Sequence, residues 1–118
     1  MIKSITPQQI TQFMAIKNTF IVNIVAAWCS DCTKQAVNIA DFTEDFSRDD
    51  IQVYNVNVQD VRNVYLTLDH QDITEKFGGH GFPRTVLIKK GEVLDADNVE
   101  VISAQQLSQL GEQFKQQL

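Results

Sequence analysis

Cysteine, proline and glycine are scarce in this sequence of 118 residues, which holds two, two and five of them respectively. Two cysteines are too few for the disulfide framework of a small secreted protein. So few prolines and glycines exclude collagen-like and low-complexity chains. Long apolar runs are missing as well. The longest, residues 20–22 and 24–28, are split by Asn23 and fall far short of the roughly 20 residues that cross a bilayer.

Positive charge is also in short supply, with 10 Lys and Arg against 15 Asp and Glu, a formal charge of −5 and a pI of about 4.8. Nucleic acid and anionic membrane surfaces require a basic face on the protein, so we expect neither as a partner. The residues after Met1 contain no apolar stretch of the kind that forms a secretory signal. We therefore expect a monomeric, cytoplasmic protein.

What the sequence does contain is enough for one ordinary domain. A chain of this length buries roughly two thirds of the surface that its unfolded form exposes, which suffices for a core without metal or disulfide. No linker, internal repeat or change of composition divides the chain. We predict a single domain over residues 1–118.

The first half of the chain predicts helix, strand, helix, strand. A capping-box pattern at Thr6 starts a helix that ends near Asn18. The strand covers Phe20–Val25, which is apolar at both parities and therefore buried on both faces. A helix over residues 30–46 and a strand over residues 51–58 complete a right-handed βαβ unit. The apolar face predicted for this second helix comprises Ala36, Ile39, Ala40, Thr43 and Phe46.

The segment before the next strand predicts two helical pieces. Apolar residues at helical spacing favour a first helix after residue 60, and a break follows at residues 69–71. Asp72 with Glu75 resembles a capping box that starts a short helix through Phe77. The face of the first piece comprises Val61, Val64, Tyr65 and Leu68.

The last third predicts a hairpin and a final helix. A strand over Arg84–Lys89 turns back into residues 92–94, and a loop follows over residues 95–98. Ser103 caps the last helix. Its apolar face comprises Leu107, Leu110, Phe114 and Leu118.

Both cysteines lie in one C-x-x-C motif, Cys29 and Cys32, between a buried strand and a helix start. Free backbone N–H groups and the positive end of the helix dipole favour a thiolate at Cys29, and the thiolate is the form that attacks a disulfide. Cys32 lies nearly one helical turn further on, so its sulfur can reach the first. Asp31 opposes the thiolate by its charge, although a carboxylate in the first helical turn is also favourable by itself.

A metal site is the competing interpretation of the cysteines. His70 and His80 would complete a tetrahedral set with Cys29 and Cys32, but nine residues separate the histidines from each other and no usual zinc spacing fits. A metal or iron–sulfur site shared across a dimer through the two cysteines remains open as an alternative. For His80, which lies three residues before Pro83, an influence on Cys29 is also open.

The order strand, Trp-Cys-x-x-Cys, helix and later Phe-Pro before a strand resembles the thioredoxin family over nearly the whole chain. The resemblance implies an α/β thioredoxin fold, with a central mixed sheet of four to five strands flanked by helices and an extended segment before the cis-proline loop. The residues that carry the resemblance are Ala27, Trp28, Cys29, Cys32, Phe82, Pro83, Lys90, Gly91 and Glu92.

The resemblance also implies roles at the site. Cys29 would be the exposed nucleophile and Cys32 the resolving thiol, with Trp28 as a recognition surface. Pro83 would be a cis-proline that faces the cysteines, and the backbone at Phe82 would pair with the substrate. The candidate substrate-binding residues are Trp28, Ser30, Asp31, Phe82, Pro83 and Arg84, and the candidates that modulate thiol ionisation are Asn23, Asp31 and His80.

A thiol–disulfide oxidoreductase that reduces or exchanges disulfides of proteins or small molecules is the activity implied by the resemblance. Electrons would come from a reductase or a low-molecular-weight thiol, and no cofactor beyond the Cys29–Cys32 pair and no metal is expected. The alternative is a redox-inactive binding module that holds a partner chain in the cleft at Pro83.

The sequence departs from the family pattern at several positions. Ser30 and Asp31 stand where thioredoxins carry Gly-Pro, and Asn23 replaces a buried Asp six residues before the first cysteine. A lysine that usually lies near that Asp matches Asn55, so a polar pair is expected in place of an ion pair. Arg84 replaces the Thr after the cis-proline and would bring a positive charge beside the cleft. Residues 61–79 are longer than the usual connection, and we expect them near the active-site edge, where they shape partner choice.

Overall fold

A computed structural model gives the fold of residues 2–118, and Met1, with which the expected domain begins, lies outside the described residues. Strands and helices alternate along most of the chain. In chain order they are β1 (Lys3–Ser4), α1 (Pro7–Ala15), β2 (Phe20–Val25), α2 (Ser30–Ala36), α3 (Ile39–Ser47), β3 (Val53–Asn57), β4 (Gln59–Val61), β5 (Val64–Tyr65), α4 (Leu68–Lys76), β6 (Arg84–Lys89), β7 (Glu92–Val99) and α5 (Ala104–Gln117).

The central sheet has five strands in the order β1-β3-β2-β6-β7. Strands β1, β3 and β2 run parallel, and β6 and β7 are antiparallel to their neighbours, so the sheet is mixed as predicted. Strand β2 occupies the middle because it is apolar at both parities and can be covered on both faces. The predicted fold class is confirmed.

Two apolar clusters cover the two faces of this sheet. Phe20 and Val22 belong to the cluster that also contains Ile10 of α1 and Ile73 of α4. Ile21, between them in the strand, belongs to the other cluster, which the helices α3 and α5 complete. This alternation follows from the two-residue period of a strand. It leaves the carboxyl end of β2 as the point where the C-x-x-C motif emerges.

The caps at the two ends of the chain are as predicted. Thr6 and Ser103 each form a full capping box, with the hydroxyl accepting from the N3 backbone and the N3 glutamine bonding back. The first helix ends at Ala15, earlier than predicted, because Lys17 takes a left-handed conformation with φ 61°. In α5 the predicted apolar face is buried except for Leu118, which is 39% exposed.

The helix predicted over residues 30–46 is two helices, and this prediction is wrong in one respect. Asn38 sits at the junction, where its side-chain amide donates to the carbonyls of Lys34 and Ile102. Ala36, the last residue of α2, and Ala40, in the first turn of α3, are exposed although they were predicted on the buried face. The remaining members of that face, Ile39, Thr43 and Phe46, are buried.

The helix predicted after residue 60 is absent, and a β-hairpin replaces it. Strands β4 and β5 pair with each other, with Val61 opposite Val64. Asn63 supplies the turn with φ 64°, a conformation that asparagine tolerates. Two β-branched residues around an Arg-Asn turn favour a hairpin, and the accidental helical spacing of the apolar residues concealed it.

Helix α4 runs through the predicted break at residues 69–71. Its N-cap is Thr67, whose hydroxyl accepts from the backbone N–H of His70 at 3.2 Å, so Asp72 is an internal residue and not a cap. The helix ends at Lys76, one residue short of the predicted end, and Phe77 is its C-cap. Strand β7 likewise continues through the predicted loop at residues 95–98, with irregular register opposite β6.

Strand β1 was not predicted, because Lys3 and Ser4 are polar and exposed. It extends the sheet by pairing with β3. Within residues 2–118, no helix combines the length and the apolar character that a membrane crossing requires.

Candidate active site

Cys29 is the N-cap of helix α2, and three residues separate it from the end of strand β2. Its backbone N–H donates to the carbonyl of Ala26 at 3.0 Å, which closes a turn between strand and helix. Its sulfur accepts from the backbone N–H of Cys32 at 3.3 Å. A sulfur in this position replaces the oxygen of an ordinary N-cap side chain and lies where negative charge is favoured.

The two cysteines are free thiols and both are buried, with 6% of Cys29 and 7% of Cys32 exposed. The prediction that Cys29 is exposed is therefore wrong. The reason is the loop before β6, since the sulfur of Cys29 lies 3.7 Å from the carbonyl oxygen of Phe82 and can donate its proton there. The residues at this loop cover the sulfur.

The peptide bond between Phe82 and Pro83 is cis, and both residues are buried. Because the Phe82 carbonyl points at Cys29, this loop faces the cysteines. The ring of His80 meets the ring of Phe82 edge to face at 5.5 Å, so His80 lies beside the same loop, with its own side chain exposed.

Burial raises the pKa of the Cys32 thiol to about 12, helped by its hydrogen bond with Cys29 and by the negative charges of Cys29 and Asp31. A backbone hydrogen bond at Ala26 acts in the opposite direction but is weaker. At neutral pH Cys32 is therefore a neutral thiol.

Trp28 is half-buried beside Cys29 and is fixed at its polar end. Its indole N–H donates to the Oε1 atom of Gln59 at 2.9 Å. Its ring meets Phe82 edge to face at 6.2 Å. The guanidinium of Arg62, at the tip of the β4–β5 hairpin, lies 5.1 Å from the ring centroid. Residues from the 61–79 segment thus reach the active-site edge, in the position that the sequence predicted.

Beneath the site, Asn23 is buried in a network of neutral side chains. Its amide nitrogen donates to Oε1 of Gln35 at 2.6 Å and to Oδ1 of Asn55 at 3.1 Å. Its oxygen accepts from Gln35 at 3.2 Å and from the hydroxyl of Thr85 at 2.9 Å. The predicted polar pair of Asn23 with Asn55 is confirmed, and every donor and acceptor of Asn23 is satisfied without a charge.

A cleft of about 270 Å³ joins this network to Cys32. Asn23, Cys32, Gln35 and Asn55 all contribute to its wall. Most of the wall is apolar, with Val25 and Ile39 among its residues, and the side-chain amides in it supply polar groups that can bond to water. Sequence reasoning missed Gln35, although its position three residues after Cys32 on the same helix places it on the same face.

Arg84, the residue after Pro83, points its guanidinium into the protein, although the sequence predicted a positive charge beside the cleft. It is only 6% exposed. Its guanidinium donates to the carbonyl of Ala96 at 2.6 Å and, over 3.5 Å, to that of His80, while its Nε has no partner among residues 2–118. The side chain fits there because Gly78 has no Cβ, which would lie 2.5 Å from the arginine's Nη1 atom. Arg84 therefore ties the loop before Pro83 to β7.

Two further residues considered in the sequence, Ser30 and His70, lie at the start of α2 and on α4. Ser30 is exposed in the first turn of α2. His70 lies on α4, where its Nδ1 is 2.7 Å from the hydroxyl of Thr67 and burial lowers its pKa. Within residues 2–118, no group of three or more His, Cys, Asp or Glu side chains converges to hold a metal ion.

The hairpin residues at the site were missed by sequence reasoning. Gln59 is 1% exposed, and its Oε1 accepts from both the indole of Trp28 and the backbone N–H of Asn63 at 3.0 Å. Asn57 accepts from the backbone N–H of Ala27 at 2.9 Å. The one feature of the sequence that could have predicted this hairpin is the pair of valines on either side of Arg62 and Asn63.

Comparison with solved structures shows what this arrangement is similar to. Mitochondrial thioredoxin 3 of Saccharomyces cerevisiae superposes with a TM-score of 0.71 at 15% identity, over 98% of this chain and 94% of that chain. The thioredoxin of Malassezia sympodialis gives 0.71 at 18% identity, over 97% and 90%. The oxidised thioredoxin of Plasmodium falciparum gives 0.68 at 17% identity, over 97% and 98%. At these identities the likeness establishes the fold.

A profile of the AhpC/TSA family matches residues 4–99, which include both cysteines, the hairpin and the Phe82–Pro83 loop. This match covers most of the sequence and agrees with the thioredoxin-like resemblance that its motifs carry. The chain belongs to the AhpC/TSA family, and its fold is that of the thioredoxins.

Proposed function

We propose that this protein is a thiol–disulfide oxidoreductase in which Cys29 attacks a substrate disulfide and Cys32 resolves the resulting mixed disulfide. Thioredoxin-like proteins are in general oxidoreductases of this kind, and the family match supports that class. The observation that carries the proposal is the position of the Cys29 sulfur, which accepts from the backbone N–H of Cys32 at a helix start. That donor stabilises the thiolate that disulfide exchange requires.

In the first step, the thiolate of Cys29 forms a bond to one sulfur of the substrate disulfide. The other substrate sulfur leaves with the electron pair and takes a proton from water. Trp28 and the backbone at Phe82 lie next to the reacting sulfur and supply the surface against which the substrate chain binds. Ser30 and Asp31, in the first turn of α2, border the same position.

In the second step, Cys32 gives up its proton, and its sulfur bonds to that of Cys29. The second substrate sulfur leaves and is protonated, so the substrate gains two electrons and the two cysteines become a disulfide. None of the neutral side chains around Asn23 is a base that could accept the Cys32 proton. The acceptor we propose is water in the adjoining cleft, with the Asp31 carboxylate as the alternative.

Return to the dithiol form needs two electrons from outside the protein. We propose a reductase or a low-molecular-weight thiol as the donor, with no resident cofactor. The presence of only two cysteines, both in one C-x-x-C motif, supports a reducing compartment such as the cytoplasm. We propose that the protein, with its acidic net charge, acts there as a monomer.

The test is reduction of insulin disulfides by dithiothreitol with and without the protein. Wild-type protein should accelerate the reaction, Cys29→Ser should reduce it to the uncatalysed rate, and Cys32→Ser should accumulate covalent mixed disulfides. An adaptor that only binds would give no acceleration and would keep its partners in the Cys29→Ser, Cys32→Ser double variant. A protein that binds metal through the cysteines would carry stoichiometric metal after purification without added ions.

A further inference from the structure

The guanidinium of Arg62 is an exposed cation over the ring of Trp28, at the edge of the candidate site. It lies 5.1 Å from the centre of the Trp28 ring, and Trp28 directly precedes Cys29. Within residues 2–118, no carboxylate pairs with this guanidinium, and no carbonyl or side-chain oxygen accepts from it. Its hydrogen-bonding capacity is therefore open to a molecule that approaches the site.

One buried carboxamide fixes both members of this stack. The Oε1 atom of Gln59 accepts from the indole N–H of Trp28 at 2.9 Å and from the backbone N–H of Asn63 at 3.0 Å. Asn63 is the neighbour of Arg62 in the hairpin turn, and Gln59 itself is 1% exposed. Gln59 therefore fixes the position of the Trp28 ring relative to the hairpin backbone that carries Arg62.

Stacking on an aromatic ring engages the flat face of a guanidinium and leaves its in-plane N–H groups free. Those groups form a rigid fork that matches the two oxygens of a carboxylate. The nearest acidic residue in the turn, Asp60, does not fill this role, because its carboxylate accepts from the side-chain amide of Asn57 at 2.8 Å. The chemistry that fits Arg62 is a carboxylate from outside the chain.

Apolar side chains around Arg62 indicate that this carboxylate belongs to a polypeptide. Val61 and Val64 pair across the hairpin and are 64% and 58% exposed. Leu66 and Leu68 follow and are exposed as well. Exposed apolar residues concentrated beside a charged group are typical of protein-binding surfaces. A small anion would leave them uncovered.

We propose that Arg62 selects the substrate: it binds the carboxylate of an Asp or Glu that lies next to a cysteine of a protein disulfide, while the valines of the hairpin contact apolar residues of the same chain. This inference rests on the proposed function, since it names the substrate class for exchange at Cys29. Asp31, in the first turn of α2, contributes the opposite charge near the cysteines. Only a substrate whose carboxylate lies towards Trp28 gains from Arg62.

The experiment uses disulfide-linked peptides that differ at one position. The residue beside the cysteine is Glu, Gln or Lys, placed before the cysteine in one series and after it in the other, and apolar residues flank both. Single-turnover rates are measured with the reduced protein. In one of the two series, we expect the Glu peptide to be reduced about two- to fivefold faster than the Gln peptide, which is the range of an exposed ion pair. The Lys peptide of that series should be reduced more slowly than the Gln peptide. High salt should reduce this preference.

Variants of the arginine give the decisive comparison. In Arg62→Gln the Glu to Gln rate ratio should fall to about one, and in Arg62→Glu the order should reverse in favour of Lys. The matched control is Arg48→Gln, which removes an exposed arginine on the far end of α3 and should retain the wild-type ratio.

Failure of the inference and failure of the proposed function give different results. If wild-type protein reduces all peptides at the same rate in both series, or if Arg62→Gln keeps the preference for Glu, the role of Arg62 is overturned and the oxidoreductase function stands. If no peptide is reduced at all, the proposed function fails, and the inference that depends on it fails too.

Discussion

The side-chain amides of Asn23 and Gln35 hold each other through two hydrogen bonds, of 2.6 and 3.2 Å, beneath the reactive cysteines. Asn55 and Thr85 satisfy the rest of Asn23. Each amide donates and accepts, so the pair is saturated while neither member carries charge. Such a buried network is stable only while its members keep matching donors and acceptors.

Replacement of Asn23 by Asp should lower the stability of the fold and raise the rate at which the mixed disulfide is resolved. The new carboxylate has no proton to donate to Gln35 or Asn55, so we expect the free energy of unfolding at pH 7 to fall by about 1–3 kcal/mol. Burial raises the pKa of such a carboxyl, and the stability that it removes should return as the pH falls and the group takes up a proton. Urea unfolding at pH 7 and pH 5 measures this.

The same substitution adds a base next to the cleft that Cys32 lines, so the mixed disulfide at Cys29 should resolve faster near neutral pH. Asn23→Ala is the control, because it also disturbs the network but supplies no base. Equal decay of the mixed disulfide in both variants would show that a base at this position is irrelevant to resolution.

The buried thiol of Cys32 should react with alkylating reagents in alkaline solution but not at neutral pH. Because its pKa is raised to about 12, a small alkylating reagent should modify Cys29 alone near pH 7 and reach Cys32 only as the pH approaches that value. Adduct masses of the reduced protein over a pH series provide the measurement. Two adducts at neutral pH, formed at similar rates, would contradict the expected protonation of Cys32.

The raised pKa also has a consequence for stability, with a definite sign. Above the ordinary pKa of a cysteine, about 8.5, the unfolded chain loses the Cys32 proton while the folded chain keeps it. The stability of reduced protein relative to Cys32→Ser should therefore be fully present below that pH and decline as the pH rises towards 12. A difference that stays constant between pH 8 and pH 11 would be inconsistent with this shift.

Gln59 should control the environment of Trp28, which is the single tryptophan of the chain and therefore the sole source of its indole fluorescence. In Gln59→Leu the indole N–H loses its partner, so we expect lower emission anisotropy of Trp28 and a loss of about 1–3 kcal/mol in the free energy of unfolding. Gln59→Glu keeps an acceptor oxygen and should retain the wild-type anisotropy. Unchanged anisotropy in Gln59→Leu would mean that packing alone holds the ring.

Gly78 and Gly79 form a matched pair for testing the packing of Arg84. Both have positive φ, 124° and 88°, so alanine is strained at either position. A Cβ at Gly79 meets nothing within 4 Å, whereas one at Gly78 would lie 2.5 Å from the guanidinium of Arg84. We expect Gly79→Ala to cost about 1–2 kcal/mol and Gly78→Ala more.

Thermal unfolding of the two alanine variants, with and without Arg84→Met, tests this explanation. The smaller methionine should remove the difference between the two glycine positions. If Gly78→Ala remains the worse variant in the Arg84→Met background, the arginine is not the cause.

The sequence predicted those elements whose local pattern agrees with their tertiary role. Strand Phe20–Val25 and strand Arg84–Lys89 are apolar at both parities because the sheet is covered on both sides, and their predicted bounds match the structure. The capping boxes at Thr6 and Ser103 depend on neighbours along the chain and were predicted for the same reason.

The failures occurred where distant contacts decide local structure. The break between α2 and α3 depends on Asn38, which bonds to the carbonyl of Ile102, 64 positions away. The hairpin at residues 59–65 was mistaken for a helix because its two valines and its tyrosine fall, together with Leu68, at helical spacing by coincidence. Residues brought to the site by these elements, above all Gln59 and Arg62, could not be predicted for that reason.

The cysteines themselves were evident from their spacing, but their surroundings were not. The burial of Cys29 follows from the carbonyl of Phe82, which is 53 positions away in the chain. The burial of Arg84 depends equally on a loop whose path the sequence leaves open.

The β4–β5 hairpin forms a two-stranded sheet of its own, separate from the five strands that carry the cysteine motif and the proline loop. Its turn can therefore be lengthened, shortened or exchanged for that of a relative without rebuilding the scaffold. Under the role proposed for Arg62, this contact with the substrate resides outside the strands that lead to the cysteine motif and the proline loop, and protein engineers can alter it while those strands stay unchanged.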